Sequence, residues 1–162
     1  MGALDQWSDF NVALAGATAA LAGLIIVAMS VNIAEIMKAA TLPTRAAAAI
    51  STLVLALIAS LIGLFPGTPL WAVGAVVLVG ALIAATFQAR AIHWILKDGG
   101  APRGAAPAKI TLGVVPLATY AVGGVSLLCG LEWGLTVVAA ASIVAIVGAV
   151  VLAWVVLVEI LR

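Results

Sequence analysis

Charge is what this sequence has least of. Only 8% of its 162 residues are Asp, Glu, Lys or Arg, seven basic and six acidic, whereas a water-soluble domain carries about 25%. So few charges cannot coat a 16.2 kDa particle in water, and with 66% hydrophobic residues and a mean hydropathy of +1.35 the chain takes lipid as much of its solvent. Cysteine and histidine are scarcer still. A lone Cys129 excludes an internal disulfide or a multi-thiolate metal site, and a lone His93 excludes a bis-histidine haem within one chain. A net charge of +1 provides no field for nucleic acid. The first ten residues hold Asp5 and Asp9 and no basic stretch, unlike a secretory leader, and Gln6 stands where N-myristoylation needs Ser or Thr.

What the chain does have is long apolar runs. A helix crossing the hydrocarbon needs about 20 apolar residues. Stretches of that kind bounded by charge, Pro or Gly number five, at about 12–37, 46–65, 70–96, 110–129 and 134–158. They predict an all-α integral membrane protein, a single membrane-embedded domain over 1–162. The breakers between them are a turn over Thr41-Leu42-Pro43-Thr44-Arg45, a tight hairpin at Pro66-Gly67-Thr68-Pro69, and a Gly-, Pro- and Ala-rich cytoplasmic linker over 98–109.

With five crossings, Lys38, Arg45, Arg90, Lys97, Arg103, Lys109 and Arg162 all fall on one side, and Asp5, Asp9 and Glu132 on the other. The positive-inside rule then puts the N-terminus outside and the C-terminus in the cytoplasm. Trp7, Trp71 and Trp133 sit at outer ends of spans and Trp94 at an inner end, where amphipathic rings prefer the interface. Trp154 lies deeper and is expected to pack against a neighbour.

Small residues recur at helical spacing. In span one, Gly16-x3-Ala20 and Ala19-x3-Gly23 follow the small-x3-small pattern by which helices approach closely in lipid, which predicts tight neighbours. Gly74, Ala75 and Gly80, Gly123-Gly124, and Ala139 to Ala141 with Ala145, Gly148 and Ala149 give other spans similar surfaces. Packing inside one chain and packing between copies both remain open.

Reactive chemistry is sparse. No ionisable side chain falls at mid-depth, which weighs against a pump, a proton-coupled transporter or a voltage sensor. Cys129 and His93 belong at opposite membrane faces, so they cannot form a nucleophile–base pair, and Gly99-Gly100 lacks a P-loop lysine. No catalytic, metal or cofactor residue is predicted, and no cofactor. Three weaker groupings remain. Asn11, Thr18 and Asn32 lie within roughly 60° on a helical wheel, a stripe that either lines a neutral pore or bonds between helices. Arg90, His93 and Lys97 share one helix face, and with Arg103 they suit anionic lipid or an acidic partner. Pro116 predicts a kink, with Thr119 and Tyr120 one turn on, which is either a structural bend or a groove for a lipid or small molecule.

The run Trp7-x2-Phe10-x2-Ala13-x-Ala15-Gly16-Ala17-x-Ala19-Ala20-Leu21-x-Gly23-Leu24, followed by Ser30-Val31-Asn32-Ile33 and Leu42-Pro43-x-Arg45-Ala46, resembles a group of uncharacterised small multipass membrane proteins common in actinobacterial genomes. The likeness covers about residues 7–65. It implies an all-helical fold in a bacterial inner membrane and brings no catalytic residues. The sequence therefore leads to a non-enzymatic membrane protein acting through helix packing, as an accessory or scaffold subunit or as a homo-oligomer. Its expected partners are the lipid bilayer and other membrane subunits or itself, without nucleic acid. A neutral-lined channel or carrier is the alternative, and a lipid-binding protein a weaker one.

Overall fold

The computed structural model describes residues 3–31, 33–38, 41–97 and 105–160. Among them every regular element is helical: a 3-10 turn Asp5–Trp7, then α1 (Ser8–Val31), α2 (Ile33–Ile36), α3 (Leu42–Gly63), α4 (Leu70–Lys97), α5 (Ala105–Leu128) and α6 (Trp133–Ile160). Five helices are long and apolar enough to cross a membrane.

Span one aside, two boundaries differ from the sequence reading. Span one is helical over Ser8–Val31 (α1) and Ile33–Ile36 (α2), and residue 32 between them lies outside the described residues. Near the end of α1 Ser30 Oγ donates to the Ile26 carbonyl at 2.8 Å, a bond within its own helix. The turn expected at Thr41 to Arg45 is mostly helix. Pro43 sits in the first turn of α3, where its missing N–H would have no partner in any case. Residues 105–109, read as linker, form the start of α5: Ala105, Ala106 and Ala108 favour helix and Pro107 again occupies the first turn. The rest of that linker lies outside the described residues.

Two glycines make the tight connections possible. Phe65 O accepts from Thr68 N at 3.3 Å, with Pro66 and Gly67 between them and Gly67 at φ 73°, the left-handed value a type II turn demands. After α5, Gly130 (φ 77°) donates to Leu127 O at 3.0 Å and Leu131 N to Ser126 O at 2.9 Å, the paired bonds of a Schellman cap.

The helices α3, α4, α5 and α6 pack in a ring, each against the next, and α1 lies outside it on the α3–α6 seam. One core, built on Leu55, Val77, Tyr120, Leu127 and Ala141, fills the ring; a second joins Ile25, Ile36, Leu53 and Leu152 towards the opposite end. The ring closes through glycine. A Cβ on Gly74 would lie 2.7 Å from Gly124 O, and one on Gly134 2.9 Å from Gly123 O, so α4 meets α5 and α5 meets α6 nearly backbone to backbone. Span one departs from its expectation: among the described residues nothing lies within 4 Å of a Cβ built on Gly16 or Gly23, and Ala19 and Ala20 are exposed. Trp154 also lacks the expected neighbour, being 68% exposed on α6.

Candidate functional site

The predicted polar stripe of α1 points towards the ring. Thr18 is fully buried, but its Oγ1 donates back to Leu14 O at 2.8 Å, within its own helix. Asn11 is half-buried against α3; a Cβ on Gly63 would sit 2.7 Å from its Nδ2. Asn11 also borders a small cavity of about 20 Å³, with Trp7, Ser60 and Ser142. Asn32 lies outside the described residues.

The basic face is exposed at one end of α4. Arg90, His93 and Lys97 project from it, Lys97 Nζ lies 5.5 Å from the Trp94 ring centroid, and the His93 ring meets Trp94 edge-on at 6.3 Å. Arg103 lies outside the described residues.

The Pro116 face of α5 turns inward. Pro116 and Tyr120 are buried, and Gly123, one turn further, presses on Val138 and Gly134 of α6. Thr119 is half-buried and donates to Val115 O at 2.9 Å. At Gly123 this is a helix–helix face, and Pro116 also borders a cavity. Tyr120 crosses to α6, its hydroxyl 2.8 Å from Ser142 Oγ. Ser142 gives its one proton to Val138 O at 2.9 Å, so Tyr120 is the donor in that bond.

Sequence reasoning did not single out the polar groups inside the ring. Thr52, Ser60, Ser126 and Ser142 are buried, each hydroxyl bonded to the carbonyl four residues back. Gln88 differs from them. Its side chain is 7% exposed and forms no hydrogen bond among the described residues; its amide atoms border open space instead of being sealed in protein. The amide lies where a Cβ on Gly113 would fall, so only glycine at 113 lets it reach α5. An isolated amide in an apolar span is the signal that could have marked it.

Around Gln88 is a cavity of about 60 Å³ bordered by Arg45, Thr52, Leu112, Gly113, Pro116 and Gly148. Pro116 has no N–H for the Leu112 carbonyl, and a Cβ on Gly148 would be 3.5 Å from that oxygen. The lining thus brings together Gln88, Thr52, Arg45 and Leu112, polar groups among apolar walls. Such a mixture suits water or a small hydrogen-bonding group, and about 60 Å³ exceeds the roughly 30 Å³ share of one water. Among the described residues no group of three His, Cys, Asp or Glu could hold a metal ion. No protein-family model matches the chain, and neither does any curated protein or solved structure.

Proposed function

We propose that this chain is a non-enzymatic integral membrane protein that works through helix packing, as an accessory or scaffold subunit of a membrane complex or as a homo-oligomer. The observation that supports this reading is the open stripe on α1. Gly16-x3-Ala20 and Ala19-x3-Gly23 follow small-x3-small spacing, yet among the described residues nothing lies within 4 Å of a Cβ on either glycine. Elsewhere in the same molecule such glycines draw helices into backbone contact, because lipid supplies no hydrophobic force between helices and close approach has to replace it. A second helix, from another subunit or another copy, completes the stripe.

By the positive-inside rule the seven basic residues favour an orientation with the Lys38 and Lys97 end in the cytoplasm and the N-terminus outside. The resemblance to actinobacterial multipass proteins over residues 7–65 favours a bacterial inner membrane.

The test is purification from native membranes in mild detergent. The parent is expected to migrate as an assembly larger than one chain or to bring a membrane protein with it. Gly16→Leu with Gly23→Leu should release a lone, folded chain of unchanged melting temperature, since both positions are open within the protomer. A parent that is itself a lone monomer overturns the reading.

A neutral-lined channel or carrier is the second reading, favoured by the two small cavities lying on either side of the Tyr120–Ser142 layer, the outer one bordered by Asn11. It expects solute flux in liposomes that Asn11→Leu or Asn32→Leu alters without unfolding the protein; no flux in the parent removes it.

A further inference from the structure

Outside the ring, on the side away from α1, α4 and α5 leave between them an apolar furrow of about 480 Å³, bordered by Leu78, Ala85, Ile92, Ala118 and Ala121. Gln88 is the one hydrogen-bonding side chain on its wall, and it is the buried amide with no hydrogen-bond partner among the described residues. The depths are informative. From Gln88 to Leu78 the furrow runs ten residues, about 15 Å, which is half of the roughly 30 Å hydrocarbon core. Trp71 lies seventeen residues before Gln88, about 26 Å along the axis, so a Trp71 ring at one interface places Gln88 at the other edge of the hydrocarbon. His93 comes about 7.5 Å further on and one turn past the furrow residue Ala89, with Arg90 and Lys97 on either side of it along the same face. Apolar furrow, amide and cations thus follow one another in the order of tail, ester and phosphate in a glycerophospholipid.

We propose that this furrow binds one anionic glycerophospholipid from the leaflet on the Lys97 side. One acyl tail lies between α4 and α5, an ester carbonyl accepts a hydrogen bond from Gln88 Nε2, and the phosphate rests against His93 and Lys97. Net negative charge on the lipid is selected because the exposed groups at that end of the furrow are basic. The site is on different helices from the open α1 stripe and does not depend on it.

Native mass spectrometry with added dioleoyl phosphatidylglycerol or dioleoyl phosphatidylcholine tests this. The parent is expected to retain one phosphatidylglycerol per chain in preference to phosphatidylcholine with the same tails. Ala118→Phe, at an exposed position on the furrow wall, should reduce retention of both lipids. Ala85→Phe, on the opposite wall and also exposed, answers the same question if the first variant does not fold. His93→Ala with Lys97→Ala should lower the preference by roughly tenfold, the loss of one to two interfacial cations, while tail retention persists. Excess inorganic phosphate should displace nothing. Equal retention of the two lipids by the parent, unaltered retention in both furrow variants, or displacement by phosphate overturns the proposal.

Discussion

At the scale of single residues, the described polar side chains inside the ring are nearly all bonded to their own helices, and the Tyr120–Ser142 bond is the exception that ties α5 to α6. Hydrogen bonds between membrane helices are worth about 0.6 kcal/mol on average and up to about 1.7. Tyr120→Phe should therefore lower stability by about that much, read by thermal melting or denaturing-detergent titration. Ser142→Ala should do more damage, because it leaves a buried phenol with no acceptor, a loss of about 1–3 kcal/mol. Equal stability of the parent and both variants would show that the bond does not hold the pair. Gln88→Leu makes the opposite case. With no intramolecular bond to lose, the variant is expected to melt at or above the parent temperature while retaining less phosphatidylglycerol.

At the scale of elements, glycines of one type divide into two classes. Gly74→Ala would drive a methyl to within 2.7 Å of Gly124 O and 2.8 Å of Leu128 N, so α4 and α5 must part along their contact; the expected loss is about 1–3 kcal/mol. Gly16→Ala meets open space and gains helix propensity, so the isolated chain should be unchanged or more stable by up to about 1 kcal/mol. Melting both variants in detergent checks the contrast, and a destabilised G16A would show that α1 packs more deeply. This contrast also marks where sequence reading stops. The small residues around Gly16 and the Gly123-Gly124 pair both read as packing surfaces in the string; which of them meets a neighbour depends on how the helices are arranged around the ring. Gln88 went unnoticed for a related reason, since its meaning comes from Gly113 lying opposite on another helix. The span centres and the Pro66-Gly67 turn were legible because hydrocarbon thickness and left-handed backbone geometry act locally. The start of α5 was misread because a run of Ala and Pro serves a linker and a first helical turn equally well.

At the scale of the whole molecule, a ring of four helices with a fifth on its rim separates the basic end of the chain from the end that carries Asp5, Asp9 and Glu132. Cys129 is exposed at the acidic end and is the sole thiol, so the unmodified protein reports its own orientation. A membrane-impermeant maleimide should label Cys129 in intact cells. In a Cys129→Ala background, Lys38→Cys should react only after permeabilisation. The reverse pattern inverts the orientation. The rim position of α1 has a further consequence, in the history of the sequence. Among the described residues nothing lies within 4 Å of a Cβ at positions 16 and 23, so drift is expected to replace a glycine there unless a surface from outside the protomer rejects larger side chains. At positions 74 and 124 the protomer itself does the rejecting. If α1 meets another molecule as proposed, small residues are expected to persist at 16 and 23 among related sequences, and bulky residues there would overturn that contact.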